Sequence, residues 1–235
     1  MAKMRWLSKL FGAQRQRLDV YQFDDDIAAT TAWCPLQGGG TNFCTHRLVE
    51  QAPERLVFKA SGLSLLIPSI FGFIAIACLF SFFFVNDAEA FAFVIPVGLA
   101  FLLVSLLLFY LLIKPIVFDK CSGLYWKGRT RHGLPPKPGE LKQSALLSEV
   151  HAIQLIPEWV RGSENSYYSY ELNLILRDCQ RLNVVDHGSR RRIREDAEFL
   201  AQFLGVPVWD AIDYAMPQQK SSTDDMKVDV LSSML

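Results

Sequence analysis

The chain has 235 residues, 51% of them hydrophobic, and its 24 basic and 24 acidic side chains cancel to a formal net charge of zero. That balance excludes a global electrostatic field for nucleic acid. Five cysteines without regular spacing exclude a disulfide framework.

From the N-terminus, Trp6, Leu7, Leu10 and Phe11 recur at helical spacing among Lys3, Arg5, Lys9, Arg15 and Arg17. This pattern reads either as a short basic amphipathic helix on a membrane surface or as an unstructured basic leader. It lacks the continuous apolar stretch of a secretion signal. Residues 1–42 are expected to form an N-terminal segment, with Gly38-Gly39-Gly40-Thr41 as a flexible lead-in to the first strand. No Lys-Ser/Thr pair follows these glycines at phosphate-loop spacing.

Residues 43–49 and 55–60 alternate in β fashion around Glu50-Gln51-Ala52-Pro53-Glu54 and predict a hairpin with one wet and one dry face. Two long apolar runs then follow, residues 63–85 and 90–113, with no charge inside either and only Asn86-Asp87-Ala88-Glu89 between them. At about 1.5 Å per residue each crosses a hydrocarbon core of about 30 Å as a helix. Residues 61–113 therefore predict a transmembrane helical hairpin. Arg47, Arg55 and Lys59 precede it, Lys114, Lys120, Lys127, Arg129 and Arg131 follow it, and the turn holds two acids and no base. The positive-inside rule places both termini in the cytoplasm.

After the hairpin, residues 116–119 and 124–127 predict strands joined by Lys120-Cys121-Ser122-Gly123. Residues 129–143, rich in Gly and Pro, predict a loop. Three further strands are expected at 150–160, 168–177 and 181–186. The period then lengthens: Ile193, Ala197, Leu200, Ala201 and Leu204 mark one face of a helix, with Ser189 as N-cap and Gly205 just past its end. Residues 114–213 thus complete a cytoplasmic domain begun by residues 43–60, and residues 214–235 read as a polar, disordered tail.

Seven strands and one closing helix lead to the expected fold. It is an α+β membrane protein in which a two-helix transmembrane hairpin is inserted into a pleckstrin-homology-like (PH-like), seven-stranded antiparallel β barrel closed by a C-terminal helix. The alternative is that the first hairpin packs apart from a small five-stranded sheet.

Phe118-Asp119-Lys120-Cys121-Ser122-Gly123-Leu124, the strand block after it and Ala197-Glu198-Phe199-Leu200-Ala201-Gln202-Phe203-Leu204-Gly205-Val206-Pro207 resemble bacterial two-span membrane proteins with a PH-like domain. The same stretch, residues 61–208, is distantly similar to the photosystem I assembly protein family. The resemblance implies a bacterial inner-membrane scaffold rather than an enzyme.

Candidate chemistry is sparse. No nucleophile elbow occurs, no Cys or His pair has zinc-ligand spacing, and no catalytic residue, metal or cofactor is expected. The sharpest signal is Arg190, Arg191, Arg192 and Arg194 at the start of the C-terminal helix. Four cations there oppose the helix dipole by a few tenths of a kcal/mol each, which an anion, lipid head group or acidic partner would offset. The bland reading is a solvated basic face near a negative leaflet. Trp159, Tyr167, Tyr168 and Tyr170 form a candidate interface, or else core. The expected function is a non-enzymatic scaffold or assembly factor that binds a protein partner at the cytoplasmic membrane surface. The alternative is an anionic-lipid sensor working through the arginine cluster. Membrane lipid and a protein are the expected partners, and the oligomeric state is left open.

Overall fold

A computed structural model describes residues 16–81, 84, 88–130, 134–137, 141–162 and 165–214. The basic leader before residue 16, the turn residues Asn86 and Asp87 and the tail after Tyr214 lie outside the described residues.

The expected PH-like barrel is not formed. Among the described residues, nine strands build two open sheets. The first holds β1 (His46–Ala52), β2 (Arg55–Ala60), β3 (Ile116–Asp119), β4 (Leu124–Lys127) and β5 (Ser144–Leu146), in that order and antiparallel throughout. The second has the order β8-β7-β6-β9, from β6 (Val150–Val160), β7 (Tyr167–Leu176), β8 (Arg181–His187) and β9 (Val208–Asp210). Four α-helices accompany them among the described residues: α1 (Asp26–Thr30), α2 (Gly62–Phe80), α3 (Ala88–Leu112) and α4 (Arg190–Leu204). The two apolar helices fall in the middle of the chain, between β2 and β3 of an open sheet rather than inside a barrel.

The physical reason lies at one strand edge. To close a barrel, β6 would have to pair with β5. After α4 the chain instead returns through Pro207, and β9 takes that edge of β6 in parallel register, Ile153 opposite Val208 and Leu155 opposite Asp210. A three-residue strand this short has no local signal and forms only because a long partner offers unpaired amides. On the other side, β1 and β8 meet only at a corner. Gly188 N donates to Phe43 O at 3.0 Å and Thr45 Oγ1 donates to Asp186 O at 2.8 Å.

The sheets share one core. Leu56, Phe58, Ile116, Phe118 and Tyr125 of the first face Ile153, Leu155, Leu172, Leu174 and Val184 of the second, and α4 adds Ile193, Ala197, Leu200 and Ala201. Each of the larger aliphatic and phenylalanine side chains contributes roughly 1.5–3 kcal/mol by leaving water. Helix α4 starts at Ser189, whose side chain makes no capping bond, and stops at Gly205 in the left-handed region at φ 72°.

Neither sheet keeps a simple wet face. Val57, which shares its face of β2 with Arg55 and Lys59, is buried with Val117 and Trp126, and the Arg55 guanidinium lies 5.5 Å from the Trp126 ring centroid. The outer face of the second sheet is covered by residues 18–33. Trp33, Ala28 and Phe23 pack on Trp209, Ile175 and Ala152, and Phe23 stacks on Trp33 at 5.0 Å.

Helices α2 and α3 are long and apolar enough to cross a membrane, with only 17% and 11% of their apolar windows buried. They pack on each other through small residues. A Cβ on Gly98 would sit 2.9 Å from the Cys78 Cβ and one on Gly72 3.0 Å from Ser105 Oγ, while Ser105 Oγ donates to Pro68 O at 2.8 Å. Pro68 lacks the N–H that would continue the helix ladder.

Candidate functional site

The chain turns into and out of the two apolar helices at one end of the body, and that junction is tightly built. Ser61 caps α2 by accepting from Ser64 N at 3.3 Å, and its N–H and hydroxyl donate to Thr45 O and Cys44 O at 2.8 and 2.5 Å. Ser64 Oγ also donates to Thr45 O at 2.7 Å. At the end of α3, Arg129 Nη2 donates to Tyr110 O and, at 3.1 Å, to Ile113 O, with its guanidinium 3.8 Å over the Tyr110 ring. A cation on the last carbonyls satisfies groups a helix leaves unpaired and complements its dipole. The strands that flank the helix pair in sequence, β2 and β3, pair directly, Leu56 opposite Phe118 and Phe58 opposite Ile116.

The glycine loop crosses this junction as a strap. Leu36 N and Gln37 N donate to the Glu171 carboxylate at 2.9 and 2.8 Å, and Gly39 N and Gly40 N donate to Glu158 at 2.7 and 3.0 Å. Tyr167 hydroxyl closes the set on Gly40 O at 2.9 Å. Amides that resemble an anion cradle therefore hold the chain's own carboxylates. The missing side chain matters at Gly40, where a Cβ would overlap Ser169. The sequence signal for this strap was not the glycines but the acids Glu158 and Glu171, which stand in strands where neighbours are apolar.

Under the strap lies a cavity of about 250 Å³, lined by the glycine loop, Leu111 and Leu112 at the end of α3, and His46, Lys127 and Asp186. Lys127 Nζ donates to Asn183 O and Oδ1 at 3.2 and 3.0 Å, and Asn183 Nδ2 donates to Asp186 Oδ1 at 2.8 Å. Burial lowers the Lys127 pKa, with Asp186 opposing and Lys114 reinforcing the change. Burial also pushes Asp186 up to about 6, against its bond from Asn183. His46 and His187 fall to about 4, chiefly through burial, with Lys127 adding to the first and His46 and Arg192 to the second. The histidines contribute stability that is complete above pH 6.5 and lost as pH falls toward 4. The burial cost of Asp186 runs the other way, full above pH 6 and gone below 3.8, so the two trends oppose each other across that window.

The four arginines do not converge on one point. Arg190 pairs with Asp213, Arg194 donates to Asp210 and Asp213 at 2.5 and 2.9 Å, and Arg191 lies 3.5 Å from Glu195 one turn on. Arg192 acts electrostatically on Asp196 and His187. The partner Asp210 ends β9 and Asp213 follows it, both beyond the reach of helix periodicity. Hydrogen bonds and charge from Arg194 and Arg190 hold the Asp213 carboxyl below its ordinary range, against its burial.

The aromatic group divides. Tyr170 is buried in the core, and Tyr167 is held on the strap. Trp159 and Tyr168 face each other across β6 and β7 with ring centroids 4.5 Å apart, and remain 49% and 36% exposed. All five cysteines are free thiols, and no cluster of three or more His, Cys, Asp or Glu side chains with metal-holding geometry occurs among the described residues. Compared with known families and with curated proteins, the chain matches no family model and no curated sequence.

Proposed function

We propose that the protein is a non-catalytic scaffold of the bacterial inner membrane. In this reading α2 and α3 span the bilayer, both termini are cytoplasmic, and the two-sheet body docks a protein partner beside the lipid. One observation carries it: the strands entering and leaving the spans, β2 and β3, are hydrogen-bonded neighbours in one sheet. The body is thereby fastened at two adjacent strand ends, and the bonds of Ser61, Ser64 and Arg129 at the helix ends stiffen both joints. A surface held at fixed height and orientation loses less freedom when it captures a membrane partner, which favours binding without added contacts.

Affinity purification of the full chain from its native membranes in mild detergent tests this directly. The expected result is recovery of a stoichiometric protein partner that withstands salt washing. Recovery of the chain alone at every detergent and salt condition contradicts a scaffold role.

A further inference from the structure

We infer that the β6–β7 hairpin is a third membrane contact, with the Trp159–Tyr168 ring pair seated at the lipid interface beside the two apolar helices. The inference rests on the reading that α2 and α3 span a bilayer, and it follows from strand register.

The helix-bearing end of the first sheet is marked by Ala60, Ile116 and Lys127. His46 lies opposite Ala60, and Lys127 opposite Ile116. The second sheet is aligned with that end by two bonds, Thr45 Oγ1 to Asp186 O and Gly188 N to Phe43 O. Asp186 lies opposite Glu171, and the last rung between β8 and β7 joins His187 to Tyr170. Strands β6 and β7 continue together past that rung, through Glu158–Ser169, Trp159–Tyr168 and Val160–Tyr167. Trp159 and Tyr168 stand three residues beyond the Asp186 level, about 10 Å at the rise of an antiparallel strand.

That overhang points toward the apolar helices. Glu158 and Tyr167 hold the glycine strap, and the strap lines the same cavity as Leu111, Leu112 and Lys114. The ring pair therefore lies on the body's membrane side, close to the level where the second span ends.

The exposed chemistry suits that depth. Trp and Tyr are enriched at membrane–water interfaces, where an apolar ring and a polar tip are both accommodated. Arg161, exposed at the start of the tip, follows directly, as a cation suited to head-group phosphate. The turns at the opposite end, around Pro53, Ser122 and Cys179, present no such ring pair among the described residues. Trp33, Trp126 and Trp209 are buried, so Trp159 is the exposed tryptophan among the described residues.

Reconstitution of the full chain in vesicles of phosphatidylcholine and phosphatidylglycerol provides the test. Lipids brominated near the head group should quench tryptophan fluorescence, and Trp159→Phe should remove about half or more of that quenching. Aqueous iodide should reach Trp159 poorly. In parallel, Ser166→p-benzoylphenylalanine should photo-cross-link to lipid, whereas Gln51→p-benzoylphenylalanine at the far end should not. Bromolipid quenching unchanged by Trp159→Phe, with strong iodide access, overturns the inference. Shielding from iodide without lipid quenching overturns it also, and assigns the rings to a protein contact. Carbonate extraction separates the two levels. A chain that resists extraction but shows no Trp159 quenching keeps its spans and loses this contact, whereas one that washes out loses both.

Discussion

Replacing Gly188 by alanine is expected to cost more than about 3 kcal/mol, a large share of the roughly 5–15 kcal/mol that holds an ordinary protein folded. A Cβ at Gly188 would overlap the carbonyl carbon, oxygen and Cα of Asn42, all of them backbone atoms. Relief by movement is blocked, because Gly188 N donates to Phe43 O and, two residues before Gly188, Asp186 O accepts from Thr45 Oγ1. This is the corner at which the two sheets meet, so a displaced backbone separates β1 from β8. Gly205→Ala provides the comparison. Its glycine has positive φ but open space around the missing Cβ, and the change should cost about 1 kcal/mol of conformational strain. Urea or thermal unfolding of both variants in detergent, followed by far-UV circular dichroism, distinguishes them. Equal losses at the two positions would refute the close approach.

Glu171→Ala is expected to cost about 3–5 kcal/mol, with Glu171→Gln between it and the wild type. Glu171 is fully buried and accepts from Leu36 N, Gln37 N and Asn173 Nδ2, the last at 3.0 Å. Alanine leaves three donors without an acceptor, whereas glutamine keeps one carbonyl oxygen. The loss should concentrate on the strap, so amide exchange at Leu36 and Gln37 should accelerate far more than exchange within β3 or β4. Uniform acceleration through the body would mean that Glu171 supports the core rather than the strap.

These two positions show where the sequence was legible. Strands β3 and β4 could be bounded to the residue because each is a short apolar run and an Asp119–Gly123 turn separates them. Asp119 Oδ1 accepts from Cys121 N at 2.9 Å, and Gly123 takes φ 69°. Helix α4 was equally plain, since its apolar stripe repeats over four turns. The apolar helices announced themselves by length. What stayed hidden depends on distant partners. Strands β5 and β9 are three residues each, and no local pattern can mark them. The rivalry of β9 for the edge of β6 decides against a barrel, and that is a comparison between edges rather than a property of either segment.

The candidate site was legible in part. The arginine cluster was visible as charge, but Asp210 and Asp213, which engage Arg194, belong to a segment with no helical or strand period. The glycine run was visible as a loop, whereas its role as a strap required Glu158 and Glu171 to be opposite it. Trp159 and Tyr168 stood out in the sequence only as part of one aromatic group with Tyr167 and Tyr170. Alternation alone assigned neither a face, and the cross-strand register separates them from buried Tyr170.

The central claim is that strands on either side of the two apolar helices form one sheet and so fix the body to the spans. Disulfide formation between Val57→Cys and Val117→Cys, in membranes and in a chain with Cys34, Cys44, Cys78, Cys121 and Cys179 replaced by serine, tests it most directly. Val57 and Val117 are register partners. The account predicts rapid cross-linking at 57–117 and little at the shifted pair Val57→Cys with Phe118→Cys, whose side chains point to opposite faces. Absence of the 57–117 bond, with a chain that still resists carbonate extraction, would contradict the account.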